Sequence, residues 1–375
     1  MKVLFLIFHG LSAASGISKK ILAQVEGLKQ CGHEVSLCTY DILPNGHRCR
    51  FVDGEIISDF GASKLAPVRK RCSYGDVYDY CVQNYIEFVY ARFFQNSNPW
   101  TIHLFSKLRK VGIRSVIEIP TYPYDNEFTV FPIVTRVEIA IDKMFRERLA
   151  NSTDAIVTFS DAEVIFGQKT IRISNGIDFD MIPMVEPRQH ASNELHLLGV
   201  AEVHVWHAYD RMISGLADYY RDNPNPAMKV FFHIVGGVCD ADKIPWIDFI
   251  KSNGIEPYVI FHGQQSGDEL TAIFNNADFG IGSLGRHRSG ITKIKTLKNR
   301  EYAARGIPFI YSEIDDDFEQ MPYVLKAPAD ESPISVQDII KFYKHCSISP
   351  FEIRNSIMHC SWRNQMQIVL NQMDF

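Results

Sequence analysis

Short apolar runs and helix-patterned segments alternate along nearly the whole chain, and the alternation runs twice. KVLFLIF (2–8), EVSLCTY (34–40), FVYARFF (88–94), SVIEIPTY (115–122), AIVTFS (155–160) and IRIS (171–174) read as one set of strands. Between the first two, Ile17, Ile21, Leu22, Val25 and Leu28 recur at helical spacing, and Gly32 follows as a left-handed stop. Strand, helix, strand at this spacing is a βαβ unit, and its repetition builds a parallel sheet covered on both faces. The pattern restarts after the polar, proline-bearing patch at 183–194. LHLLGVAEV (195–203), KVFFHIVGG (229–237), YVIFHGQ (258–264), DFGIGSL (278–284) and PFIYSE (308–313) form a second set. Helical stretches near 208–220, 241–253, 267–277 and 295–305 separate them. The expected architecture is α/β, with two Rossmann-like doubly wound domains facing across a cleft. The expected boundaries are 1–185 and 190–350, with an amphipathic segment at 351–375 packing across both.

A length of 375 residues agrees with two cores rather than one. The opening MKVLFLIF breaks at His9-Gly10 with no small-residue cleavage site, so it reads as a buried strand. Nothing approaches the roughly 20 apolar residues that span a bilayer. The eight cysteines are scattered without a C-x-x-C pair, which suits reduced thiols in a cytoplasmic protein. Contact with the inner face of a membrane stays open. The thirteen histidines show no ligand spacing, so no metal or other cofactor is expected. Neither strand set opens on G-x-G-x-x-G, and no G-x-x-x-x-G-K-[ST] occurs, which argues against nicotinamide and P-loop enzymes.

Charge is concentrated in one place. Arg286, Arg288, Lys293, Lys295, Lys298 and Arg300 follow one another with no acid between them, then comes Glu301, on a chain of formal net charge −5. A local positive field on an acidic protein suits a small polyanion and disfavours nucleic acid. A diphosphate wants cations and helix N-terminal amides, and a ribose diol wants a carboxylate. Glu301 is therefore the candidate ribose ligand. Lys298 and Arg211 are the candidate diphosphate cations, with Arg286 and Arg288 in a GRHRSG loop able to close over the ligand. Gly16, ahead of the first helix, lets backbone approach a phosphate. Trp206 and His207 are either ligand contacts or packing. Tyr122, Tyr124, Asp125 and Glu127 crowd the loop after SVIEIPTY, with Tyr90 and Arg92 at the end of FVYARFF, where aromatics can stack on a sugar and carboxylates can bind hydroxyls or take a proton. Each has a plainer alternative: a dipole-favoured helix glutamate, a solvated cationic face, a turn glycine, a structural loop.

At this point the chain resembles a known family. SGIS before a helix, then GLKQCGHEVSLCT, looks like the N-terminal domain of GT-B glycosyltransferases. DAIVTFS with RISNGIDFDMIP resembles their inter-domain segment. LLGVAEVHVWHAYDRMISGL, VFFHIVGG, VIFHGQQSGDELTAIFNNADFGIGSL and EYAARGIPFI follow the order of their C-domain blocks. The most similar group is the retaining one with a Glu-x7-Glu signature, frequent in bacterial surface-polysaccharide assembly. Glu301 fits the second glutamate, but Lys293 stands where the first would be, and His207-Ala208 replaces the usual Lys-Gly pair. The resemblance implies sugar transfer from a nucleotide-sugar donor to a saccharide or lipid-linked acceptor, without a metal. In that reading Arg211, Lys298 and Glu127 are catalytic, Gly16, Glu301, Arg286, Arg288 and His207 hold the donor, and Tyr122, Tyr124, Tyr90 and Arg92 stand on the acceptor side. A GT-B-like nucleotide-sugar epimerase or hydrolase, or a non-catalytic sugar-binding protein, would share the fold.

Overall fold

The computed structural model describes residues 1–12, 15–93, 95–124, 133–186 and 193–375. The chain forms two compact units, the first comprising residues 1–176 and 362–375, the second 177–361. The exchange points are thus Gly176 and Trp362, not the 183–194 patch or residue 351. The reason is local. A Cβ on Gly176 would stand 2.3 Å from the Trp362 ring, so the NGID turn and the final helix pack as one piece.

The first unit contains β1 (Lys2–Leu6), α1 (Gly16–Gln30), β2 (Glu34–Ile42), β3 (Arg48–Val52) and β4 (Glu55–Asp59). Then follow α2 (Ala66–Cys72), α3 (Gly75–Gln83), β5 (Phe88–Arg92), α4 (Pro99–Lys110), β6 (Arg114–Ile119), α5 (Ile133–Ser152), β7 (Ala155–Thr158), β8 (Val164–Ile165) and β9 (Gln168–Arg172). All nine strands join one sheet in the order β4-β3-β2-β1-β5-β6-β7-β9-β8. Its centre is parallel. β3 and β4 add antiparallel to β2 through an Asp53-Gly54 turn, both residues at positive φ, the geometry a two-residue hairpin favours. The β1, β5, β6 and β7 side chains are almost wholly buried, as a sheet covered on both faces demands.

Helix α1 starts where the Ser15 hydroxyl accepts from the Ser18 amide, and ends before Gly32 at φ +89. Its buried face differs from the apolar pattern. Ile21, Val25 and Leu28 point inward, but Ile17 and Leu22 are about half exposed, and Lys20 and Gln24 are buried instead. The polar pair faces a buried carboxylate described below.

The second unit contains β10 (Glu194–Val200), α6 (Tyr209–Asp222), β11 (Lys229–Val235), α7 (Asp240–Ser252), β12 (Val259–Gly263), α8 (Gly267–Asn275), β13 (Phe279–Ile281) and α9 (Leu297–Arg305). β14 (Phe309–Tyr311), β15 (Val324–Lys326), α10 (Val336–His345) and α11 (Pro350–Ser356) complete it. Its six strands are all parallel, ordered β12-β11-β10-β13-β14-β15. One core under the sheet gathers Leu197, Tyr209, Leu216, Phe232 and Ile281, and another gathers Leu198, Tyr302, Phe309 and Tyr323. The chain leaves this unit through a 3-10 turn, Met358–Cys360, and α12 (Trp362–Gln372) packs along α1 in the first unit.

Both sheets are doubly wound. In each, the first strand has neighbours whose connections leave on opposite sides, β2 and β5 for β1, β11 and β13 for β10. Open α/β sheets bind ligands beyond the carboxyl ends of the strands at such a reversal.

Candidate functional site

In the second unit the loops beyond β10, β13 and β14 carry His207, Arg286 and Glu313 to the reversal point, and α9 presents Lys298 from its first turn. Lys298 Nζ lies 2.5 Å from His207 Nε2. The other ring nitrogen of His207, Nδ1, accepts from the His204 amide at 2.9 Å. An acceptor at Nδ1 puts the neutral ring's proton on Nε2, so the lysine amine must take that hydrogen bond as a lone-pair acceptor. The electrostatics agree. Burial drives the Lys298 ammonium down to about 7, and Arg286 adds to that, while Glu313 opposes it. Burial, with Lys298 and Arg286 beside it, holds His207 far below the ordinary imidazole value. The Arg286 guanidinium lies 5.3 Å from the centre of the Trp206 ring.

Glu313, two residues past β14, is 2% exposed, and neither carboxylate oxygen has a hydrogen-bond partner among the described residues. Burial lifts it to about 7 against the pull of Arg286. A buried acceptor without a side-chain donor is costly, and these oxygens could accept from a ligand hydroxyl or amide. The start of α9 is open in the same sense. Thr296 is its N-cap but makes no side-chain cap bond, and its buried hydroxyl is also without a partner among the described residues. The first-turn amides are left for another acceptor.

Other expected donor contacts are engaged elsewhere. Arg211 is 2% exposed and donates to the backbone carbonyls of Leu284, Ser332 and Pro328 and to Asp330. It ties the loop after β13 to the loop after β15 and does not reach toward a ligand. Arg288 is held by Asp210 and Glu331 on both sides of its fork, which raises its already high pKa. That leaves the GRHRSG loop pinned rather than poised to close. Arg300 is buried against Asp315 and Asp317, and Lys293 pairs with Asp316 at 2.8 Å. Arg288, Lys293 and Arg300 thus meet acids from the loop after β14 and from 210 and 331. Glu301 stays partly exposed, with Oε1 accepting from Arg305 at 3.1 Å, an i,i+4 pair.

In the first unit a cavity of about 420 Å³ opens beyond β1, β5 and β6. His9, Gly10, Ser15, Arg92, Gln95 and Tyr124 are among its lining residues. Glu118, wholly buried at the end of β6, anchors its floor. It accepts from Gln24 Nε2 at 2.5 Å and Tyr90 Oη at 2.6 Å, bonds Arg92 and lies 3.8 Å from Lys20 Nζ. Burial alone would raise this carboxyl, but Lys20 and Arg92 outweigh it and leave Glu118 below the ordinary value. Lys20 also donates to Asn175 at 2.7 Å. The network leaves two cations on one anion, hence a positive wall at Arg92.

Arg92 and Tyr124 both line this cavity. Tyr124 donates its hydroxyl to the buried Asp142 at 3.0 Å, which fixes the ring. Tyr90 does not belong with them. It is fully buried and bonded to Glu118, behind the cavity wall. Tyr122 packs edge-on against Phe166 rather than into the cavity. Gly16 is exposed, and a Cβ there would meet nothing within 4 Å, so no close backbone approach requires it. The tight glycine is Gly10, whose Cβ would stand 3.0 Å from the Tyr40 carbonyl. Asp125 and Glu127 lie outside the described residues. Sequence reading passed over Glu313 and Glu118, although both have a signal. One is an acid just beyond a buried parallel strand, the other an acid inside one.

No protein-family model matches the chain, and no curated protein matches its sequence. Solved structures do match. Sucrose-phosphate synthase from Thermosynechococcus elongatus is 14% identical, covering 100% of this chain and 98% of that one, with a TM-score of 0.65. The catalytic domain of starch synthase IV from Arabidopsis thaliana, bound to ADP and acarbose, is 10% identical over 99% and 98%, with a TM-score of 0.62. An Anabaena protein in complex with UDP and glucose is 14% identical over 100% and 98%, with a TM-score of 0.56. Likeness at this identity shows the fold, and the chain has the two-domain fold of GT-B glycosyltransferases.

Proposed function

We propose that this protein is a glycosyltransferase that moves a sugar from a nucleotide-sugar donor to a saccharide or lipid-linked acceptor, with retention and without a metal at the phosphates. The observation that carries the reading is the Lys298–His207 contact. The resemblance expects a lysine after β10, where this chain has His207, and α9 delivers a lysine amine to that side chain from the opposite side of the reversal point. Lys298, Arg286 and the uncapped start of α9 would together hold a diphosphate. They would stabilise the charge that builds on it as the glycosidic bond breaks. Glu313 offers acceptor oxygens to sugar hydroxyls, in place of the acid missing at position 293. Glu301 would take the ribose diol, exchanging its Arg305 contact for it. In a retaining reaction the leaving phosphate itself can accept the acceptor's proton, so no strong base on the protein is needed. The Arg92 cavity of the first unit is the acceptor-side candidate. No helix among the described residues is long and apolar enough to cross a membrane, so a lipid-linked acceptor would be met from its surface.

The test is calorimetric titration with uridine, adenosine and guanosine diphosphates. One of them should bind, and Glu301→Ala should weaken it about tenfold, the loss of a charge-assisted hydrogen bond, with an unchanged unfolding midpoint. Wild-type protein that binds none of the three would remove the proposal.

A further inference from the structure

The second unit holds a cluster that no part of the donor reading uses. Asp317, His359 and Cys360 each offer one ligand atom, and all three atoms lie within 4.8 Å of one another. Cys360 Sγ is 3.3 Å from His359 Nε2, and His359 Nε2 is 4.0 Å from Asp317 Oδ1. The donors come from two separate stretches, the loop after β14 and the 3-10 turn after α11. Cys360 is fully buried, Asp317 partly buried and His359 more than half exposed, which gives an ion a route in from solvent.

From this geometry we infer a zinc-binding site formed by the Cys360 thiolate, His359 Nε2 and Asp317 Oδ1, with a fourth position open to water. Thiolate, imidazole and carboxylate are the zinc ligand set, and the spacings need to change by only about 1 Å to meet ordinary zinc–ligand distances. Asp317 can serve without giving up its other contact, because it presents Oδ2 to Arg300 and Oδ1 to His359.

Charge supports the same conclusion. Arg300 faces two carboxylates, Asp315 and Asp317, so the cluster carries an excess of negative charge that a cation would balance. A dication entering would take the Cys360 sulfur as thiolate and the His359 Nε2 lone pair, releasing the protons those atoms carry. Metal ligands must be deprotonated to bind, so this exchange makes affinity rise with pH. His359 and Cys360 face charge from Asp317, Arg300 and, through Arg300, Asp315.

Position suggests what the ion would do. The Ile177 amide donates to the Cys360 carbonyl at 2.8 Å, and Ile177 pairs with Ser361. The chain enters and leaves the second unit at these residues. An ion here would fasten both passages to the loop after β14. It would also lie on a different side of α9 from the donor site, since Arg300 follows Lys298 by two residues, about 200° around the helix.

The experiment uses the full chain stripped with chelator and titrated with Zn2+ or Co2+ alone. One equivalent of Co2+ should give a thiolate-to-cobalt charge-transfer band, and Zn2+ should displace it; Zn2+ added to the stripped protein should raise the unfolding midpoint. Cys360→Ser should abolish the band, whereas Cys239→Ser, at an exposed cysteine, should keep it. His359→Gln, half exposed and so not expected to disturb folding, should weaken Zn2+ affinity about tenfold or more. Absence of the band in the wild type, its survival in Cys360→Ser, or unchanged Zn2+ affinity in His359→Gln would overturn the inference. None of these outcomes depends on whether a nucleoside diphosphate binds.

Discussion

Affinity for a nucleoside diphosphate should fall as pH rises above 7, and the size of the fall follows from Lys298. The amine is close to neutral when the site is empty, because its value is about 7 and its hydrogen bond to His207 requires a lone pair. A diphosphate favours the charged ammonium. Binding above pH 7 must therefore first protonate the amine, at about 1.4 kcal/mol per pH unit. That predicts roughly tenfold weaker binding at pH 8 than at an idealised fully charged site, and about a hundredfold at pH 9. Below pH 7 the lysine contribution levels off. The ligand's own terminal phosphate ionises near about 6, so it is fully charged across the window. Glu313, also about 7, loses its proton in the same range and adds a negative charge, which steepens the fall in the same direction. His207 stays neutral and Arg286 charged throughout. The assay is calorimetry from pH 6.5 to 9 at fixed ionic strength, run in two buffers of different ionisation enthalpy to count protons. At pH 8 the wild type should take up close to one proton per ligand. Lys298→Met should bind more weakly but with most of the slope gone, and Glu313→Gln should remove a smaller part. A flat wild-type profile between pH 7 and 9, or an undiminished slope in Lys298→Met, would refute the assignment of a neutral Lys298.

Two further predictions concern the fold that supports the sites. Glu118→Gln leaves Lys20 and Arg92 buried without their anion, so the first unit should lose about 3–5 kcal/mol in urea unfolding. The folded Glu118 value lies below the ordinary carboxylate value, so its stabilisation is complete above that ordinary value and disappears as pH falls through the folded one. The variant should accordingly lose less stability on acidification than the wild type. Arg211→Met strips the donors from three backbone carbonyls and should cost the second unit about 2–4 kcal/mol, with diphosphate affinity unchanged while folded. Lost affinity at unchanged stability would mean Arg211 touches ligand after all.

The βαβ alternation was readable because a parallel sheet needs continuous apolar strands, and all eleven expected strands correspond to observed ones. The strands not expected, β3, β4, β8 and β15, are short or at the sheet edges. The β3–β4 hairpin has partly exposed strands, yet its Asp53-Gly54 turn is a hairpin signal available in the sequence as VDGE. β15 has only three residues and lacks any period. Proline and polarity mark the loop at 183–194, whereas the division at Gly176 and Trp362 brings together residues distant in sequence that no local pattern connects.

The site was less legible, for a reason the cation run makes plain. Six adjacent positive charges look like one field, but a chain that alternates strand and helix turns successive residues toward different neighbours. Lys298 and Arg300 are two residues apart on α9 and face opposite ways, one toward His207 and the other into Asp315 and Asp317. Arg288 and Lys293 find acids from 210, 331 and 316 that no local reading connects to them. The same holds in the first unit, where Lys20 and Gln24 interrupt the apolar face of α1 because Glu118 lies under it. In both sheets the informative residue was the one that broke its local pattern: an acid in or just beyond a buried strand. Such an acid is tolerated only if something neutralises it. Glu118 has its partners within the fold, whereas the Glu313 oxygens have none among the described residues. That difference is why Glu313 is assigned to ligand binding and Glu118 to structure.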